Sequence, residues 1–371
     1  MKTSLVLTGG GARGAYQAGA LKALGEIYND RKSPFSILSG SSAGAINSVF
    51  LASKMGDFSQ GTEELKQFWE SLDFNHVVDM NVSTLSRIFI GYMSDFVSAM
   101  TAGKASRSRS RSLMNTDPLA KMLKEIISFN DIETHQKNGF FEALVITATQ
   151  YRTSNTVHFV QSHLPFTPWH GWRSKSVATM ISKDHILASS AIPVFFPPHK
   201  VDGEFFGDGS IRNVNPLSPS IHLGAEKLFI VGLRNASEEV EFAKDFVPSL
   251  SRICSLMLNS LFLDAVDADL QQLKLNNKIC REVCELEDRH IRPIQYFHLY
   301  PSKDISQIAH EHIDKIPTQL KRFLLGIGTL KEASALMSYL LFDPAYCSAL
   351  VELGYIDAMA RKSEIEGFLD S

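Results

Sequence analysis

The sequence predicts a three-layer α/β fold on a largely parallel central sheet, for three reasons. Short apolar runs alternate with helix-period segments from the N-terminus onward, the first two strand-to-helix junctions are glycine turns, and apolar runs of strand length recur later between helical stretches.

Residues 4–8 form a short buried strand, Ser-Leu-Val-Leu-Thr, that runs into glycines, and 15–28 carry Ala20, Leu21, Leu24 and Ile27 at helical spacing. Residues 35–38 form a second strand, followed by Gly40-Ser41-Ser42-Ala43-Gly44 and a small-residue helix over 45–54. Residues 60–130 read mostly as helix and loop. They hold an apolar stripe (Phe89, Ile90, Tyr92, Met93, Phe96, Val97, Met100), which suits a core-facing helix or an interfacial lid. The Arg/Ser tract that follows at 104–112 suits a solvated loop, or a contact with lipid phosphates. Strand signals return at 143–149 and 156–160, then a helix near 185–190, and three prolines within 192–198 predict a stiff extended segment. A turn at 201–204 leads to Phe205-Phe206 and Gly207-Asp208-Gly209; further strands fall at 228–233 and 295–300, and helices over 246–284 and 305–360. The expected organisation is a catalytic part over 1–235, holding every motif, and a mainly helical extension over 236–371 packed on the same domain.

With 44% hydrophobic and 21% charged residues, the 371-residue chain is neither collagen-like, disordered nor a multi-span membrane protein. Its net charge of −3 supplies no field to draw it to nucleic acid. Cys254, Cys280, Cys284 and Cys347 complete no zinc pattern and read as buried or half-buried thiols of a reducing compartment. The apolar run at the N-terminus is too short for a signal peptide, and no segment has the ~20 apolar residues of a membrane span. A cytoplasmic location is the expectation, with transient peripheral membrane contact, and secretion by a route that uses no cleaved signal stays open.

Gly9-Gly10-Gly11-Ala12-Arg13-Gly14 follows a strand and opens a helix. Its glycines satisfy a dinucleotide fingerprint, but the second strand ends in Ser39-Gly40-Ser41-Ser42 with no acid to hold a ribose, and Asp30 lies before that strand. The other reading is an oxyanion hole, since consecutive glycines expose N–H groups at a helix N-terminus, where negative charge is favoured. Arg13 is a candidate for substrate binding or a surface salt bridge. Gly40 to Gly44 spells G-x-S-x-G, a turn that would push the Ser42 hydroxyl out at the strand end and aim the Ala43 N–H at the same spot. The bland alternative is a tight turn whose serine caps the helix. Serine needs a base. Only one strand precedes the elbow, which excludes the α/β-hydrolase order, and Asp208 between two glycines is the candidate carboxylate, with the turn residue Asp202 its rival.

Taken together, these segments resemble the patatin-like phospholipase family in its bacterial form. The match is carried by Gly9 to Gly14, Gly40 to Gly44, Thr147-Ala148-Thr149, Ser189-Ser190-Ala191-Ile192-Pro193 through Phe196-Pro197-Pro198, and Asp208-Gly209-Ser210 through Asn215-Pro216. Ser210 stands where the family usually has Gly or Ala. The resemblance implies Ser42 as nucleophile and Asp208 as base, with no catalytic histidine. It also implies an oxyanion hole of N–H groups around Gly10, Gly11 and Ala12. The implied reaction is acyl transfer from a phospholipid or lysophospholipid to water through an acyl-serine, with no metal or organic cofactor. A transacylase or general carboxylesterase on the same site is the first alternative. An inactive scaffold binding lipid or protein through 89–112 is the second.

Overall fold

Three adjacent strands of the central sheet are buried along their whole length, and a strand buried on both faces must be covered by helices on each. The computed structural model describes the chain apart from residues 30, 80–113, 236–246, 283–291, 317–320 and 322–328 and the side chains of 330–333. The apolar stripe at 89–100, the Arg/Ser tract at 104–112 and Cys284 therefore lie outside the described residues. The strands are β1 (Thr3–Leu7), β2 (Ile37–Ser41), β3 (Ala143–Gln150), β4 (Asn155–Ser162), β5 (His170–Gly171), β6 (Ser174–Ala178), β7 (His199–Val201), β8 (Glu204–Asp208), β9 (Lys227–Val231) and β10 (Gln295–Leu299). They form one sheet in the order β10-β9-β1-β2-β3-β4-β6-β5, with β8 pairing both β3 and β7. From β10 to β3 every pairing is parallel, whereas β3–β4, β3–β8, β5–β6 and β7–β8 are antiparallel.

The period-2 alternation of a strand sorts the core into two layers. Leu5, Leu7, Leu38, Phe229 and Val231 belong to one cluster with α1 (Gly14–Ile27), α2 (Ala43–Ser53), α3 (Phe58–Glu70) and the helix Pro344–Ala360. Val6, Ile37, Leu228 and Ile230 belong to another, with Val266, Leu270 and Leu273 of the helix Asp264–Glu282. The observed β2 sits two or three residues later than the hydropathy suggests. Its pairing with β1 and β3 carries the strand through Gly40 and Ser41, polar or small residues that no propensity scale favours.

Almost all of α1 is buried, and small residues make this feasible. A Cβ on Gly19 would lie 1.8 Å from the carbonyl oxygen of Val351, and one on Gly354 would lie 2.0 Å from that of Tyr16. Reciprocal glycines thus let the helix Pro344–Ala360 cross α1 backbone to backbone. The Tyr16 hydroxyl donates to Asp357 Oδ2 at 3.1 Å, and the Lys227 ammonium donates to the Phe368 carbonyl and Ser371 Oγ, each at 2.8 Å. The C-terminal helices therefore share the main core, and β10 extends its sheet.

Residues 192–198 do not form the extended segment that their prolines predict. Val194 takes φ 72 and the Phe196 amide donates to the Ile192 carbonyl at 2.8 Å, so the chain turns. The gain is burial: the turn carries Phe195 and Phe196 into the core, which outweighs the preference of the prolines for extended backbone. Cys347 is buried and Cys254 and Cys280 are half-buried free thiols. Among the described residues no single helix is long and apolar enough to cross a membrane.

Candidate active site

Ser42 joins β2 to α2 with φ 53 and ψ −125, a conformation nearly closed to residues with a side chain. It stands at the N-cap of α2 yet makes no side-chain capping bond, which removes the reading of a mere helix cap. The turn is held from outside. The Ser42 amide donates to Ser189 Oγ at 3.0 Å, and Ser189 Oγ donates to the Thr147 carbonyl at 2.6 Å, so one hydroxyl ties the elbow to β3. Ser190 Oγ donates to the Ser42 carbonyl at 3.3 Å. Ser189→Ala would leave two buried backbone groups without partners, at about 1–3 kcal/mol each. We expect a loss of about 2–4 kcal/mol in denaturant unfolding.

Strand register brings the second candidate to the first. On the side of β3 away from β4, β2 pairs up to Ser41↔Thr147, and β8, running the other way, pairs from Ala148↔Asp208 onward. Two strands thus meet end to end along one edge of β3, and their terminal residues oppose consecutive positions of that strand. A Cβ on Gly209 would lie 2.1 Å from the Thr147 carbonyl oxygen and 3.2 Å from Ser41 Cβ, so only glycine lets the two turns abut. Asp208 is fully buried. Its amide donates to the Ala191 carbonyl at 2.9 Å, its carbonyl accepts from Thr149 Oγ1 at 2.9 Å, and its Oδ1 accepts from the Ser210 amide at 2.8 Å. Ser210 therefore serves the carboxylate through its backbone. The rival Asp202 is an exposed residue of the β7–β8 turn, with φ 48.

Among the described residues, Ser42 Oγ and Asp208 Oδ2 are both buried and make no hydrogen bond, a donor without an acceptor beside an acceptor without a donor. Burial pushes the Asp208 carboxyl up to about 7, while the Ser42 hydroxyl and the Ser210 amide and hydroxyl pull it down. Ser42 is thus close enough to stabilise the carboxylate yet short of hydrogen-bond geometry. Burial makes this aspartate a far stronger base than an exposed one.

Gly10, Gly11 and Ala12 stand at the cap and first turn of the short helix Gly11–Arg13, where N–H groups have no partner within the helix. Gly11 has φ 55, and a Cβ there would lie 2.2 Å from the carbonyl oxygen of Tyr339. The helix Leu330–Leu340 thus presses on the glycine loop, a dependence on the C-terminal part that no sequence signal indicated. Gly11, Ser42 and Ala43 line one narrow cleft whose walls include Ile46, Phe68, Leu119, Met122, Phe196 and Phe342. The cleft is apolar apart from Ser42, Ser190 and Trp69.

Arg13 does not match the expectation of a substrate contact or a surface ion pair. It is fully buried, with Nε donating to Ser338 Oγ at 2.8 Å, Nη2 to Ser306 Oγ at 3.1 Å and Nη1 to the Leu233 carbonyl at 3.4 Å. Its guanidinium lies 4.3 Å from the ring centre of Tyr339. It fastens the glycine loop to the C-terminal helices. None of the hydrogen bonds of His185, His199 or His222 involves Ser42 or Asp208. His185 Nδ1 accepts from the Ser182 amide at 3.0 Å, His199 Nε2 faces Asp184 Oδ1 at 3.0 Å, and His222 stacks on Trp169 at 4.8 Å.

Residues 5–221 match the family model described as patatin-like phospholipase. Among solved structures, the chain is similar to VipD from Legionella pneumophila, with 14% identity and a TM-score of 0.36. That match covers 98% of this chain and 67% of VipD. It is also similar to the type III effector protein ExoU, with 17% identity and a TM-score of 0.31, covering 91% of this chain and 68% of ExoU. A third likeness is to the complex of full-length ExoU with SpcU from Pseudomonas aeruginosa, with 17% identity and a TM-score of 0.28, over 94% of this chain and 70% of that one. No curated protein matches the sequence.

Proposed function

Since the chain belongs to the patatin-like phospholipase family, and is on that ground a lipid hydrolase, we propose that it cleaves the carboxylic esters of phospholipids with Ser42 as nucleophile and Asp208 as base. The observation that carries this reading is the end-to-end meeting of β2 and β8 on β3, with a partnerless hydroxyl and a partnerless carboxylate oxygen at the junction. In the proposed reaction Ser42 Oγ attacks the ester carbonyl carbon and its proton passes to Asp208 Oδ2. The carbonyl oxygen becomes an oxyanion held by N–H groups of Gly10, Gly11, Ala12 and Ala43, and collapse of that intermediate expels the alcohol, which takes the proton from Asp208. Water then attacks the acyl-serine with Asp208 again as base, releasing the carboxylic acid and restoring Ser42. Each N–H donor to the oxyanion is worth about 3–4 kcal/mol of barrier.

The apolar cleft beside Ser42 suits an acyl chain, since its walls reward burial of methylenes. The helix Leu250–Phe262 leaves Leu250, Ile253, Leu256 and Met257 exposed, while its last residue, Phe262, would meet a Cβ on Gly9 at 2.9 Å. That apolar face suits transient contact with a lipid surface beside the site.

The test is a digest of mixed phospholipid vesicles by the full chain, followed by mass spectrometry. We expect free fatty acid with lysophospholipid or its deacylated product. Release of diacylglycerol or phosphatidic acid instead, or no turnover, would overturn the reading.

A further inference from the structure

On the opposite face of the sheet from the Ser42 cleft, a second cavity of about 590 Å3 opens beside β4 and β6, a size typical of small-molecule sites. It shares no lining residue with that cleft. No aspartate or glutamate lines it, yet Arg173 and Arg212 do, and neither has a carboxylate partner among the described residues. Two guanidinium groups facing a cavity without acids make a place for an anion, and phosphate is the anion their fork geometry suits best.

One buried polar group in the same wall is also unsatisfied. The Trp169 ring is nine-tenths buried and held by stacking against His222 at an interplanar angle of 8°, but its Nε1–H donates to no described acceptor. Asn213, 8% exposed, lines the cavity as well. Buried polar groups rarely stay unpaired without a ligand or water to meet them. Beside them Trp172 is 78% exposed, with the Arg173 guanidinium 4.9 Å from its ring centre. Arg173 takes φ 55, a left-handed conformation that a non-glycine residue adopts at a cost. A large flat ring left in water beside a cation offers a stacking surface for another ring.

We propose that this cavity is a second ligand site, for a small phosphate ester that carries a flat ring. The phosphate lies between Arg173 and Arg212, polar atoms near it accept from Trp169 Nε1 and pair with the Asn213 amide, and the ring stacks on Trp172.

The experiment is isothermal titration of the full chain with phenyl phosphate, phenol, inorganic phosphate and glycerol 3-phosphate. It is repeated on Arg212→Ala, on Arg173→Ala and on Trp172→Ala, each checked by its melting temperature. Arg173 and Trp172 are exposed, so their replacement leaves a folded protein even if Arg212→Ala does not. We expect saturable binding of phenyl phosphate, at least tenfold tighter than the other three probes. Loss of either arginine weakens it at least tenfold, and loss of Trp172 brings it down to the affinity of glycerol 3-phosphate. Equal affinity for phenol removes the phosphate from the proposal. Equal affinity for inorganic phosphate removes the ring, and equal affinity for glycerol 3-phosphate points to a lipid headgroup; either overturns it. So does absence of binding, or binding untouched by all three substitutions. The readout is binding alone, so it stands or falls apart from ester hydrolysis.

Discussion

Ser42→Ala is expected to cut ester hydrolysis by at least about a thousandfold while the protein stays folded. In the proposed reaction the hydroxyl supplies the attacking atom, and neither the amide donors nor the apolar cleft can replace it. Because Ser42 Oγ makes no hydrogen bond, its removal breaks none, and the alanine variant should unfold at the same denaturant concentration as the wild type. Ser42→Gly separates the chemical role from the backbone one. It should be as inactive as the alanine variant but about 1 kcal/mol more stable, since glycine relieves the strain at φ 53 and ψ −125, less its own entropy cost. Labelling by a fluorophosphonate, read beside vesicle hydrolysis, checks the first half, and both substitutions should abolish it. Labelling that survives in Ser42→Ala would place the nucleophile elsewhere.

Asp208→Asn should lose a comparable factor in rate and yet gain stability at alkaline pH. The carboxyl titrates near 7 in the folded protein and near 4 in the unfolded chain, so between those values the folded state binds the extra proton. Stability that this proton provides is complete below pH 4, declines as pH rises to 7, and is gone above it. At pH 8 the wild type holds a buried charge that asparagine does not carry. The variant should therefore be more stable there, by on the order of a few kcal/mol, and the difference should vanish toward pH 4. Asparagine keeps an oxygen for the Ser210 amide, so the turn survives. The same titration shapes the reaction. A base must be ionised to take a proton, so wild-type kcat/KM should rise tenfold per pH unit below about 7 and level off above it. A pH profile flat from 5 to 9, or an asparagine variant less stable at pH 8 than the wild type, would remove Asp208 from the role of base.

The positions of β1, β3 and β9 could be read directly, because strands covered on both faces are continuous apolar runs whatever their neighbours. The elbow at Ser42 was legible for a related reason: a turn that tight admits few residue types, and the small residues of Gly40 to Gly44 meet that local demand. Asp208 was singled out by its flanking glycines, and a Cβ on either neighbour would strike an atom of another segment, Tyr151 Oη at 2.3 Å or the Thr147 carbonyl at 2.1 Å. The prolines at 193, 197 and 198 misled, since they restrict the local backbone while the burial of Phe195 and Phe196 decides its path.

Local chemistry, written in residue type and spacing, thus determined that this chain holds a tight turn centred on Ser42, a glycine-rich helix start at Gly9 to Gly14 and a carboxylate between glycines. Tertiary structure alone decided that β2 and β8 end against consecutive residues of β3, and that Ser189 braces the elbow from 147 positions away. It also decided that Arg13 points into the C-terminal helices and that burial raises Asp208 into the neutral range. Those outcomes depend on strand register and on what surrounds a charge, and both arise only when segments remote in the chain exclude water from one another.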